Sequence, residues 1–105
     1  MTTTVIAQKP IDLDAEGFLT TPGQWDEAVA EALARDNGIP ELTDRHWLVV
    51  HFMRDRYQAT GETPSVRMVG KESGVPVKEL YQLFPKAPGK LAALIGGVPK
   101  PRGCI

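Results

Sequence analysis

The stretch from Thr43 to Gly61, "TDRHWLVVHFMRDRYQATG", constrains the fold more than any other part of the chain. Thr43 is a good helix N-cap, Asp44 falls in the first turn where a negative charge suits the helix dipole, and Gly61 supplies a stop. Between them Trp47, Leu48, Val49, Val50, Phe52 and Met53 cover most of a helical circumference. A helix that is apolar nearly all round belongs inside. The pattern therefore predicts a central, most buried helix with the other elements laid around it.

Those other elements are short. In "KPIDLDAEGFL", Ile11 and Leu13 alternate with Asp12 and Asp14. A turn at Ala15-Glu16-Gly17 follows, then Phe18 and Leu19, and the pattern predicts a small β-hairpin. A first helix is expected from about Gly23 to Asp36, where Trp25, Ala28, Val29, Ala32 and Leu33 recur at i, i+3, i+4, i+7 and i+8. Asn37-Gly38 stops it. After the long helix, "TPSVRMVGKESG" and "VPVKELYQLF" each read as a short helix, and a last one is expected around Lys90–Ile95. Gly96-Gly97 then releases the chain. The expected class is α+β and mainly helical: an N-terminal β-hairpin, a helical bundle with a helix-turn-helix-like pair, and a mobile C-terminal arm. Residues 1–95 make the body and residues 96–105 a flexible arm.

Composition narrows the functional classes. The chain has 105 residues, 42% hydrophobic and 24% charged, ordinary for one soluble domain. No apolar run approaches the ~20 residues of a membrane span. The start, "MTTTVIAQKP", lacks the basic and apolar segments of a signal peptide. A single cysteine excludes an internal disulfide and fits a reducing, cytoplasmic location. The net charge of -1 hides a division: residues 1–44 hold nine acids and two bases, and residues 45–105 four acids and ten bases. A basic C-terminal end suits an acidic partner or nucleic acid, or is simply a solvated face.

Conventional sites find little support. His46 and His51 are five apart on one helix, so they point roughly 140° apart and do not share a metal as an i, i+4 pair would. With no Cys-x-x-Cys, no metal site is expected, and each histidine reads as a surface or packing residue. There is no Gly-x-Ser-x-Gly elbow or phosphate loop, and no cofactor is expected. The helix-turn-helix reading of residues 65–84 is a competitor, that of a DNA-binding regulator. Its second helix carries one base and one acid, Lys78 and Glu79, a weak surface for phosphates. The plain alternative is that the two helices close a small core.

The remaining feature is the ending, "GGVPKPRGCI", with the only cysteine, Cys104, second to last. Pro99 and Pro101 favour extended backbone, and from Pro99 onward the arm reaches at most about 25 Å. An accessible thiol is an oxidation liability, so its presence calls for a function. Lys100 and Arg102 favour the thiolate, the nearer terminal carboxylate opposes it, and solvent screens both. Activation is therefore expected from a partner's pocket.

Taken in order, "DAEGFL", "QW", "HWLVVHFMRDRY", "TPSVRM", "LYQLFPKAPGK" and "GVPKPRGC" resemble the DsrC/TusE family of sulfur-carrier proteins over nearly the whole chain. The resemblance implies that Cys104 carries sulfur as a persulfide. Lys100, Arg102 and Gly103 would dock the arm on sulfur-relay donor and acceptor proteins. Members working with dissimilatory sulfite reductase carry a second cysteine eleven positions earlier, where this chain has Ala93. The pattern is similar to the single-cysteine type that passes sulfur toward 2-thiouridine in tRNA, which implies a tRNA thiolation enzyme as a partner. An accessory subunit of a sulfite-reductase-type complex is the alternative within the family.

Overall fold

The computed structural model describes residues 2–101. The expected class is the one observed: five helices and one small two-stranded antiparallel sheet. Strands β1 (Thr2–Ile6) and β2 (Lys9–Leu13) pair with Thr2 opposite Leu13 and Ile6 opposite Lys9. The strand read from the Ile11/Leu13 alternation is thus β2, but its partner precedes it. Phe18-Leu19 contributes only an isolated bridge between Leu13 and Leu19. The reason lies in two turns. Asp14 closes its own turn by accepting from the Glu16 and Phe18 amides, each at 2.9 Å. Ala7 and Gln8 both take positive φ, 53° and 66°, as a two-residue hairpin turn of the strand-matching hand requires. Neither residue type advertises that conformation.

Helix α1 (Glu27–Asp36) starts later than the periodicity suggests. Asp26 is its N-cap, accepting from the Val29 amide at 2.9 Å on one oxygen and holding Lys9 Nζ at 2.6 Å on the other. Trp25 consequently stands outside the helix, after a short 3₁₀ turn at Pro22–Gln24. The buried face is Val29, Ala30, Leu33 and Ala34, while Ala28 faces solvent.

Helix α2 (Asp44–Thr60) has the expected ends: Thr43 caps it, and Gly61 closes it with a left-handed φ of 78°. Its burial differs from expectation. Only His46, Val49, Val50 and Met53 are buried, Trp47 and Phe52 are half-covered, and Leu48 is 38% exposed. The deepest helix is α5 (Pro88–Ile95), in which Pro88, Gly89, Ala92, Ala93, Leu94 and Ile95 are all buried. It packs against α1, α2 and α4 (Val77–Leu83) together. Gly89, Ala92 and Ala93 are small enough to let neighbouring backbones approach, whereas the bulk of Trp47 and Phe52 keeps α2 at one side.

Helix α3 (Val66–Glu72) and α4 form the expected pair. Gly70 lies so close to Val77 that a Cβ there would overlap the valine side chain. Val69, Val75, Leu80 and Phe84 point into the core. Among the described residues no helix is long and apolar enough to cross a membrane.

Candidate functional site: the root of the C-terminal arm

The backbone leaving α5 bonds its first amides back to the helix, but its carbonyls point elsewhere. Pro99 and Pro101 have no N–H, and among the described residues no strand lies alongside, so its carbonyls turn to side-chain donors. They find them on three separate parts of the fold. Trp25 Nε1 donates to the Ile95 carbonyl at 2.9 Å, and Arg54 Nη1 to the Gly96 carbonyl at 2.8 Å. The Arg54 guanidinium also stacks 3.9 Å from the centre of the Trp25 ring. Burial lowers the Arg54 pKa, with Asp55 opposing the shift; an arginine stays cationic regardless. Thr63 Oγ1, in the loop between α2 and α3, donates to the Pro99 carbonyl at 2.7 Å. Lys100 Nζ sits 3.2 Å from Glu16 Oε2, on the turn after β2, and Lys90 Nζ of α5 approaches the same oxygen at 3.6 Å.

Gly96 and Gly97 therefore sit in a packed turn, where the sequence suggests a point of release. Both are buried, as are Val98 and Pro101. Gly97 has φ of 68°, and an added Cβ would stand 2.5 Å from Trp25 Cδ1. Val98 N donates to the Ala93 carbonyl at 3.1 Å, tying the turn to α5. An open cleft of about 330 Å³ runs between the end of α2 and the start of α3, reaching Arg56 and Met68. It shares Glu62 and Thr63 with a smaller hollow beside Pro99 and Lys100.

Of the residues singled out from the sequence, Lys100 lies in this assembly, and Arg102, Gly103 and Cys104 lie outside the described residues. Ala93 is fully buried on α5. His46 is buried with both ring nitrogens engaged: Nδ1 accepts from the Thr43 amide at 3.0 Å, which leaves Nε2–H to donate to the Leu83 carbonyl at 2.9 Å. It joins the start of α2 to the end of α4. His51 is exposed and stacks on Trp47. No group of three or more His, Cys, Asp or Glu gathers among the described residues. Sequence reasoning missed Trp25, Arg54, Thr63 and Glu16 as arm contacts. Their acceptors are mostly backbone carbonyls, which leave no mark in a sequence.

The family model described as DsrC like protein matches residues 5–105. The chain belongs to the DsrC family. Among curated relatives, a sulfurtransferase TusE from Yersinia pseudotuberculosis is 45% identical over 103 residues, covering 90% of this chain and 94% of that one. A gamma subunit of dissimilatory-type sulfite reductase from Nitratidesulfovibrio vulgaris is 36% identical over 97 residues, with 92% of each chain covered. Among solved structures, one of dissimilatory sulfite reductase I superposes with a TM-score of 0.89 at 34% identity, covering 99% of this chain and 100% of that chain. Within this DsrC-family fold, the arm root is where residues 96–101 meet Trp25, Arg54, Thr63 and Glu16.

Proposed function

We propose that this protein is a sulfur carrier whose working group is Cys104. A donor protein presents a persulfide, and the Cys104 thiolate attacks its outer sulfur. The donor's S–S bond breaks, its thiolate leaves, and the outer sulfur with its proton remains on Cys104 as Cys–S–SH. In the second transfer an acceptor thiolate attacks that same sulfur and Cys104 departs as thiolate. Each step is a displacement at sulfur without net oxidation, the chemistry of thiol–disulfide exchange. The observation that carries the reading is membership of a family with sulfurtransferases among its named members, in a chain with one thiol second from its end.

Higher identity to the TusE sulfurtransferase than to the sulfite reductase gamma subunit supports a relay role over that of an enzyme subunit. Ala93 supports it too, since this chain has no second thiol with which Cys104 could pair. In this reading Lys100 and Arg102 dock the arm, Gly103 lets a partner's backbone come close, and the relay leads toward tRNA 2-thiouridine in the cytoplasm. The helix-turn-helix pair serves packing: Val69, Val75, Leu80 and Phe84 close the core, and Glu79 on α4 is occupied by Arg45 Nε and Nη2, both at 2.8 Å.

Mass spectrometry after incubation with a cysteine desulfurase, L-cysteine and its relay proteins tests the reading. Cys104 is expected to gain the mass of one sulfur, and Cys104→Ser to gain none. A wild-type protein that stays unmodified, or a Cys104→Ser variant that still takes up sulfur, overturns it.

A further inference from the structure

We propose that Thr63 and Glu16 are positioning residues of the carrier: they fasten the arm at Pro99 and Lys100, so that any swing of the thiol is set from Pro101 and not from Gly96-Gly97. This rests on the reading of Cys104 as the working thiol. Four contacts hold the root, and they fall into two kinds. Trp25 and Arg54 grip the Ile95 and Gly96 carbonyls from partly buried positions. Thr63, half-buried, and Glu16, exposed, hold the outer end at Pro99 and Lys100 through solvent-facing bonds. The inner pair belongs to the packed body, since Gly97 could not leave Trp25 without opening the core edge at Val98. At the outer end only Pro101 is buried, and the side-chain bonds that lead the chain to it are those of Thr63 and Glu16, so they help to decide how far along the chain the fastening extends.

The consequence is one of reach. Cys104 is three positions beyond Pro101, and covalent geometry then confines the Cys104 Cα to within about 11 Å of the Pro101 Cα. A chain released at Gly96 would span about 25–30 Å to the same residue. A short swing from a fixed point keeps the thiol concentrated near one side of the body, the effect a short tether has on effective concentration. The two outer contacts also differ in kind. The Thr63 bond is neutral and indifferent to salt. The Glu16–Lys100 pair is exposed, about half on each side, and should weaken as salt rises. The "TPSVRM" and "DAEGFL" segments thereby acquire a role: each presents one side chain to the arm.

The single cysteine allows a direct test. A nitroxide attached to Cys104 reports arm mobility by electron paramagnetic resonance in the whole protein, and this readout does not require the unlabelled thiol to accept sulfur. Thr63→Val is expected to raise the ratio of fast to slow spectral component about fivefold, the factor for one net hydrogen bond. Thr63→Ser, which keeps the donor, should return it to the wild-type value. Glu16→Gln is expected to raise the ratio about twofold in dilute buffer. In 0.5 M salt wild type and Glu16→Gln should coincide. Spectra of Thr63→Val and wild type that superimpose overturn the proposal, as does a Thr63→Ser spectrum that follows Thr63→Val. Failure of sulfur uptake by the unlabelled wild type would instead overturn the carrier reading and leave the spectra unaffected.

Discussion

Helix α2 holds Trp47, Leu48, Phe52 and Met53, whereas α5, "PGKLAALI", has glycine or alanine at three of its eight positions, yet α5 lies deeper. Apolar bulk made α2 look central. In the fold, α2 buries one face, whereas α5 buries six of its eight residues. Three helices close on α5 because Gly89, Ala92 and Ala93 take little room, and Leu94 and Ile95 then fill the gaps between them. The comparison teaches that hydrophobicity gives the tendency to bury, while side-chain volume decides how many neighbours a helix can have at once.

Ile95→Ala against Leu48→Ala is the sharpest way to break that contrast. Ile95 is fully buried and should cost about 3 kcal/mol as a cavity. Leu48, on the helix with more apolar bulk, should cost no more than about 0.5 kcal/mol. Urea denaturation measures both, and equal losses would return α2 to the centre. Gly97→Ala comes next, at about 2 kcal/mol, because it strains a left-handed residue and drives a Cβ against Trp25. A near-neutral Gly97→Ala in the same denaturation series would mean that the turn after α5 is loose and that the packed region ends with the helix.

The smallest effect expected is on acidification. Asp12 is held below the usual carboxylate range by the Thr3 hydroxyl and Gln24, Asp26 by Lys9 and the Val29 amide, and Glu79 by Arg45. A carboxylate with a lowered folded-state pKa contributes stability that is complete above its ordinary value and lost as pH falls through the folded one. All three groups sit at the rim, on the hairpin, ahead of α1 and on α4. Hydrogen exchange between pH 5 and pH 3, corrected for intrinsic rates, should show protection falling first at the hairpin and the start of α1. Protection of α5 should fall last, and simultaneous loss would show that rim and centre open as one unit.

Much of the scaffold is legible from residues near one another in the chain. Thr43 and Gly61 mark α2, Asn37-Gly38 ends α1, and "SGVP" separates α3 from α4, because caps and turns are local chemistry. The strand β1 is not legible, since Ala7-Gln8 reaches its left-handed turn only with β2 in place to pair against. The start of α1 was misplaced for a related reason: Asp26 acts as a cap with Lys9, seventeen positions earlier, beside it. The arm was visible as a composition, and its cysteine as the one thiol in the chain, but its anchorage was hidden.

By itself the sequence determined both ends of α2 and the end of α1, the mainly helical class, the family and the residue proposed to carry sulfur. Those rest on side-chain identity and on spacings within a few residues. Tertiary structure alone decided that α5 is the centre and that the chain after it is held at Gly96, Pro99 and Lys100. Burial on several sides at once depends on how volumes fit across elements. The fastening depends on carbonyls of Ile95, Gly96 and Pro99 meeting donors from Trp25, Arg54 and Thr63, positions up to seventy residues away.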